Sequence, residues 1–134
     1  MKIVTFNINS IRTRAHQMEA LVEKHDPDII CIQETKVHDD MFPFDLYKDL
    51  GYHIEIHGGK AHYGVATFSK QKPIAVEKGF PNDAEDAQRR MIITTFQYGD
   101  ETIKVLNGYF PQGENRNHPV KFPAKTKFYA DLQQ

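Results

Sequence analysis

With 134 residues the chain is the size of one ordinary domain, and 40% apolar residues with 9 Phe and 6 Tyr supply the core that a disordered chain lacks. Its 17 basic and 18 acidic residues leave a net charge of -1, so no whole-molecule field draws it toward a polyanion, and any nucleic-acid argument must rest on local residues. A single cysteine, Cys31, excludes an internal disulfide and a multi-cysteine zinc site, which fits a reducing compartment, and its place in an apolar run makes it a core residue.

At the amino terminus, Met1-Lys2-Ile3-Val4-Thr5-Phe6-Asn7 meets Thr5 and Asn7 too early to form a signal-peptide core. No apolar stretch approaches the roughly 18 residues a membrane span needs, so the chain is expected to be soluble and cytoplasmic, with no membrane partner. The segment Lys2–Ile8, rich in Ile, Val, Thr and Phe, predicts a strand, central in its sheet, opening into a loop at Asn9-Ser10. From Ile11 to His25 the spacing of Ile11, Ala15, Met18, Leu21 and Val22 predicts a helix with Ser10 as its N-cap, ended by Pro27. Asp28–Glu34 is a continuous apolar run closing on polar residues, the pattern of a strand covered on both faces. Strand, helix and strand in this order read as a βαβ unit. Its two strands are parallel, so Asn7 and Glu34 emerge on one edge of the sheet.

Beyond the polar segment with Asp39, Asp40 and Pro43, the runs Tyr52–Ile56 and Gly64–Phe68 predict a hairpin with a long tip at His57–Tyr63. Pro73–Val76 reads as an edge strand. Met91–Phe96 and Thr102–Leu106 flank a turn at Tyr98-Gly99-Asp100-Glu101, a second hairpin. Pro81–Arg90 is a charged connector too short to separate two cores, and Ala124, Phe128 and Leu132 have helical spacing up to Gln134. The expected architecture is α/β, one mixed sheet with flanking helices. The layer that covers the sheet's second face is not evident from the pattern.

Two serines, Ser10 and Ser69, and no Gly-x-Ser-x-Gly make a nucleophile-elbow hydrolase untenable. Seven histidines contain no His-Glu-x-x-His pair. Asp39-Asp40 reads as a loop or helix-start feature rather than a two-metal centre. Glu34 is the best candidate metal ligand, because hard divalent ions take carboxylate oxygen and clefts form beyond the carboxyl ends of parallel strands. Asn7 could add an amide oxygen from the neighbouring strand. On pattern alone, both could as well be strand-end residues capping backbone groups, and that is the commoner role.

Three segments carry a resemblance: Phe6-Asn7-Ile8-Asn9-Ser10-Ile11-Arg12, Asp28-Ile29-Ile30-Cys31-Ile32-Gln33-Glu34-Thr35-Lys36 and Asn107-Gly108-Tyr109-Phe110-Pro111-Gln112-Gly113. In order and spacing they resemble successive motifs of the exonuclease III family of DNA-repair endonucleases. The similarity continues through Tyr63-Gly64-Val65-Ala66, Gln88-Arg89-Arg90 and His118-Pro119-Val120-Lys121-Phe122-Pro123-Ala124-Lys125. The resemblance implies a four-layer α/β sandwich of the endonuclease/exonuclease/phosphatase type. It also implies a Mg²⁺-dependent phosphodiesterase, with Mn²⁺ as a substitute, acting on double-stranded DNA. Its activities would be 3′–5′ exonuclease at 3′ ends, endonuclease at abasic sites and 3′-phosphatase, in base-excision repair.

By the same resemblance Glu34 binds the metal, Asn7 helps to order the metal site, and Tyr109 contacts the scissile phosphate. A divalent ion neutralises phosphate oxygen and the departing oxyanion, so the protein has mainly to position donors around developing charge. Asn9 matches a position that is Asp in some relatives, which makes its metal role weaker and indirect through water. Lys36, Arg90 and Gln112 match positions near the DNA backbone or cleft, where cationic and amide donors suit phosphate oxygens. Tyr63 and Gly64 could form a loop approaching a DNA groove. Lys121, Lys125 and Lys127 read more simply as a solvated helix face.

The family pattern has further motifs that this sequence lacks: a Gly-Asp-x-Asn segment, a later Asp, and a terminal Ser-Asp-His. The chain is therefore expected to be the amino-terminal half of one domain, carrying the metal Glu without the water-activating carboxylate, and to be inactive by itself. Two other readings are a non-catalytic half-domain that binds DNA, a complementary half or its own copy, and a Mg²⁺ phosphoesterase of the same fold acting on a lipid or inositol phosphate. The Asn-Gly-Tyr-Phe-Pro-Gln-Gly stretch argues against the last.

Overall fold

Strands β1 (Ile3–Asn7) and β2 (Ile29–Gln33) run parallel, joined through helix α1 (Ala15–His25), as the βαβ pattern requires. The structure, a computed structural model, describes residues 1–58, 63–79 and 91–109. A one-turn 3-10 helix at Asp39–Met41, a short helix α2 (Phe44–Tyr47) and a second 3-10 turn at Lys48–Leu50 lead to β3 (His53–His57) and β4 (Val65–Ser69). Then come β5 (Ala75–Lys78), β6 (Met91–Tyr98) and β7 (Glu101–Gly108). The connector 81–90, the carboxy-terminal helical spacing and the tip residues 59–62 lie outside the described residues.

The strands form a four-stranded mixed sheet in the order β1-β2-β4-β3 and a three-stranded antiparallel sheet in the order β5-β6-β7. Both expected hairpins are present, β3 with β4 and β6 with β7, and β5 is an edge strand as predicted. Three expectations are corrected. The first concerns β1, which among the described residues pairs with β2 alone and so stands at the end of its sheet rather than at the centre. Its alternating exposure is that of a strand covered on one face, whereas β2, apolar on both faces, lies between β1 and β4.

The second correction is that the single mixed sheet is two sheets. Ile29 and Cys31 on one face of β2 pack with Phe96 and Val105 of the second sheet, so the inward face of the β6–β7 hairpin is the missing cover. The other face of β2, with Ile30 and Ile32, joins Met18 of α1, Phe68 of β4 and Tyr47 of α2 in the larger core. Burying a side chain such as Phe68 contributes roughly 2–3 kcal/mol.

The third correction concerns the start of α1, at Ala15 instead of Ile11, with Arg14 at the N-cap and no side-chain capping bond. Ser10 does not cap it. The amides of Ser10 and Ile11 donate across to the carbonyls of Glu34 (2.9 Å) and Thr35 (3.0 Å), so the chain extends the strand pairing before it turns into the helix. The Tyr47 hydroxyl anchors this segment by donating to the Ile11 carbonyl at 2.5 Å. At the other end α1 stops at His25. Asp26 adopts the left-handed conformation, with its amide on the Val22 carbonyl at 2.8 Å, and Pro27 follows.

Candidate active site

Where β1 and β2 end, three chain segments are laced together. Asn7 is the register partner of Gln33, and the Ile8 amide donates to the Gln33 carbonyl at 3.1 Å. On the far side, the Thr35 amide donates to the Gly64 carbonyl at 3.1 Å and the Lys36 amide to the Tyr63 carbonyl at 2.9 Å. Residues 34–36 are thus held between the loop after β1 and the residues that open β4. The backbone is contorted to fit. Among the described residues five non-glycine residues have positive φ, and four of them are here: Asn9 (51°), Ser10 (97°), Glu34 (57°) and Lys36 (56°). Such conformations cost free energy for residues with a Cβ, and persist where the surroundings impose them.

The contortion brings Glu34 beneath its partners. The Tyr109 hydroxyl donates to Glu34 Oε1 at 2.6 Å, across 75 residues of sequence. Lys36 Nζ lies 3.8 Å from Glu34 Oε2, with side-chain exposures of 32% for the lysine and 19% for the glutamate, and donates to Asn9 Oδ1 at 2.5 Å. Glu34, Asn9, Lys36 and Tyr109 therefore form one connected cluster. Asn7 sits beside it at the end of β1, exposed. Tyr63 and Gly64 support the cluster through their backbone carbonyls. A Cβ at Gly64, where φ is 114°, would overlap the Thr35 hydroxyl, so glycine is required by the close approach of the loop that carries Glu34. Arg90 and Gln112 lie outside the described residues, as do Lys121, Lys125 and Lys127.

Pattern reading gave Asn107 no role of its own beyond the motif that contains it. Its side chain is 1% exposed, and Nδ2 donates to the Ile32 carbonyl (3.2 Å), the Ala66 carbonyl (2.8 Å) and Thr67 Oγ1 (3.2 Å). Its Oδ1 accepts from Gln33 Nε2 at 2.9 Å, and the same nitrogen reaches Thr5 Oγ1 at 2.9 Å. One buried amide thus ties β7 to β2 and β4, two residues before Tyr109 and beside the strand end that carries Glu34. An asparagine at an inward-facing strand position, where its neighbours Ile103 and Val105 are apolar, is the signal that would have found it: a buried amide has to be hydrogen-bonded.

The donor set suits a hard cation. Glu34 offers a carboxylate, Asn9 and Asn7 offer amide oxygens, and Mg²⁺-type ions are commonly held by one or two carboxylates with water and substrate phosphate completing the shell. No group of three or more His, Cys, Asp or Glu side chains converges among the described residues. Asp39 instead accepts the Gly58 amide at 2.6 Å and begins a 3-10 turn. Cys31 is no nucleophile, since burial pushes its thiol up to about 11 and keeps it protonated at neutral pH.

The model of the endonuclease/exonuclease/phosphatase family matches residues 4–134. The chain belongs to that family. It is 54% identical to exodeoxyribonuclease III of Haemophilus influenzae over 134 residues, which is 100% of this chain and 50% of that protein. Among solved structures it resembles a 3′–5′ exonuclease from Neisseria meningitidis, with a TM-score of 0.88 and 36% identity over 98% of this chain and 50% of that one. It also resembles an AP endonuclease from Archaeoglobus fulgidus, with a TM-score of 0.85 and 36% identity over 98% of this chain and 49% of that one. The chain spans about half the length of these relatives. The fold is accordingly that of half an α/β sandwich of the family, with α1 and two facing sheets among the described residues. No helix among those residues is long and apolar enough to cross a membrane.

Proposed function

We propose that this chain is the cation-holding half of a DNA phosphodiesterase of the exonuclease III type, acting in base-excision repair on duplex DNA with 3′ ends or abasic sites. The observation that carries this reading is the 2.6 Å bond from the Tyr109 hydroxyl to Glu34 Oε1, formed where two parallel strands end and where four side-chain-bearing residues take positive φ. A carboxylate and a phenol brought together across 75 residues of sequence suit phosphate chemistry better than strand capping. The names of the relatives point the same way: an exodeoxyribonuclease, a 3′–5′ exonuclease and an AP endonuclease.

In this mechanism Glu34 would hold a divalent cation, Mg²⁺ or in its place Mn²⁺, with Asn9 and Asn7 as the protein's other oxygen donors. When bound, the cation neutralises a phosphate oxygen and the oxyanion that departs. Tyr109 has its hydroxyl next to that carboxylate and can turn its proton to a non-bridging oxygen of the scissile phosphate, where negative charge builds up. Asn7, at the end of β1, would help to order the metal site, as the motif resemblance implies. Lys36 supplies a positive charge for the DNA backbone, and Arg90 and Gln112 keep the DNA-contacting role that the motif resemblance implies. Tyr63 and Gly64 contribute by bracing the loop that carries Glu34. Cytoplasmic residence suits the single buried cysteine.

By the motif resemblance, the groups that activate water and complete the phosphate contacts come from motifs absent from these 134 residues, which span about half the length of the relatives. These residues by themselves are therefore expected to be inactive, and to cleave once a complementary carboxy-terminal half is supplied. The test is incision of an abasic-site duplex with Mg²⁺ by this chain, alone and with the carboxy-terminal half of the Haemophilus enzyme added in trans. The proposal requires cleavage only in the mixture, lost with Glu34→Gln and reduced on the order of a hundredfold or more with Tyr109→Phe. DNA binding without cleavage by the mixture would make the chain a non-catalytic half-domain. Preference for a soluble inositol phosphate over the abasic duplex would move it to the lipid-phosphate branch of the fold.

A further inference from the structure

Two of the three groups assigned to the cation, Glu34 and Asn9, are already in the company of a positive charge. Lys36 Nζ donates to Asn9 Oδ1 at 2.5 Å and stands 3.8 Å from Glu34 Oε2, while Glu34 Oε1 is taken by the Tyr109 hydroxyl. The backbone of Lys36 is pinned on both sides. Its amide donates to the Tyr63 carbonyl at 2.9 Å, its carbonyl accepts from Arg12 Nη2 at 3.4 Å, and φ is 56°. The direction in which the side chain leaves the backbone is therefore imposed, whereas the four-carbon stem is free to swing. An ammonium and a divalent ion cannot share the same two oxygens within about 4 Å, because their mutual repulsion there is strong at any protein dielectric.

We propose that Lys36 is a built-in counter-ion: its ammonium neutralises Glu34 and engages Asn9 when no divalent cation is present, and the cation expels it. Resting on the functional reading above, this gives that site an order of events. The expelled ammonium is released into the cleft at the moment the cation arrives, so binding of the cation and provision of a positive charge for a DNA phosphate are coupled. Without it, Glu34 would face Asn9 Oδ1 and the Tyr109 phenol with its charge uncompensated and four-fifths of its side chain removed from water.

The experiment uses the 134-residue chain and Mg²⁺ itself. Calorimetric titration gives the affinity, and the 13C-detected Lys36 Cε and Nζ resonances, assigned by loss in Lys36→Met, report where the ammonium is. The expected result is saturable Mg²⁺ binding with a Lys36 shift of the same midpoint, and affinity about tenfold higher in Lys36→Met, within the range usual for coupled sites. Lys36→Gln serves as a second variant should the first fold poorly, judged by circular dichroism, and Lys70→Met, which removes an exposed cation paired with Asp26 at the opposite end of the strands, should change affinity less than about twofold. Binding of Mg²⁺ with Lys36 unmoved, weaker binding in the Lys36 variants, or an equal gain in Lys70→Met overturns the proposal while leaving the functional reading intact. Binding undiminished by Glu34→Gln, or no saturable binding by wild type and Lys36 variants alike, overturns the cation reading and the counter-ion with it.

Discussion

At the amino-terminal ends of β1 and β2, charged groups meet the backbone and each other beside a single left-handed residue among those described, Asp26, which is the C-cap of α1. The Lys2 amide donates to Asp28 Oδ2 at 2.7 Å, Lys2 Nζ reaches the His25 carbonyl at 3.0 Å, and Lys70 Nζ pairs with Asp26 at 2.7 Å, all at exposed positions. At the carboxyl ends of the same strands the charges are fewer and more enclosed, and the backbone is distorted at Asn9, Ser10, Glu34 and Lys36. One end uses charge to finish a fold that would stand without it. The other uses the fold to hold charge where it would not otherwise go, and there the supporting groups, Gly64 and Asn107, are buried and specific. Residues with a Cβ keep such conformations only where the surroundings impose them, as the bonds to the Gly64, Tyr63 and Glu34 carbonyls do here.

The comparison can be broken most directly at Gly64. Replacement by Ala adds a Cβ that overlaps the Thr35 hydroxyl at a φ of 114°, and should cost about 3–5 kcal/mol in urea unfolding from strain and overpacking together. Gly51 also has a positive φ, 83°, yet a Cβ there meets open space, so Gly51→Ala should cost only about 1 kcal/mol. Equal losses at the two glycines would mean that the loop bearing Glu34 is not tightly held. Next in size is Asn107→Leu, which removes the side-chain donor from the Ile32 and Ala66 carbonyls and leaves the Gln33 amide only Thr5 Oγ1 and the Cys31 carbonyl. About 3 kcal/mol is expected, together with a change in the near-ultraviolet signal of Tyr109, which lies two residues further on.

Alkali sharpens the contrast between core and surface. Burial pushes the Cys31 thiol from 9.0 up to about 11, and burial followed by the charge of Glu19 pushes the Tyr47 hydroxyl from 10.0 up to about 12. Both groups hold their proton more tightly folded than unfolded. Their contribution to stability is therefore whole below pH 9 and falls as the pH rises from 9 toward 12, because the unfolded chain loses protons first. The urea midpoint should decline over that interval, and Cys31→Ala should delay the onset of the decline from about pH 9 to about pH 10, where Tyr47 begins to titrate. The smallest effect belongs to the exposed end. Lys70→Met removes the 2.7 Å pair with Asp26 and should leave the urea midpoint within error, as exposed ion pairs do.

Part of the site was readable from the residues in order. The apolar run of β2, the β-branched run of β1 and the helical spacing between them were enough to bring Asn7 and Glu34 to one edge, since a βαβ unit leaves its strands no other relation. Neither the enclosure of β2 between β1 and β4 nor the second sheet was readable. Hairpin patterns identify which strands pair with their neighbours in sequence, and are silent on which sheet each hairpin joins. For the same reason the start of α1 was misjudged. Ser10 has the composition of an N-cap, but its amide is claimed by the Glu34 carbonyl, a partner that exists only once β1 and β2 lie side by side.

Local physics thus determined the periodic elements, the parallel pair and the type of each candidate side chain, because those depend on residues a few positions apart. Tertiary structure decided that Tyr109 meets Glu34, that Lys36 meets Asn9, and that Asn107 bolts β7 to β2 and β4. Two of those contacts join residues more than 70 positions apart. They form because two sheets close face to face over Ile29, Cys31, Phe96 and Val105, and burial of that apolar face, not the preference of any polar residue, sets where the phenol and the carboxylate come to lie.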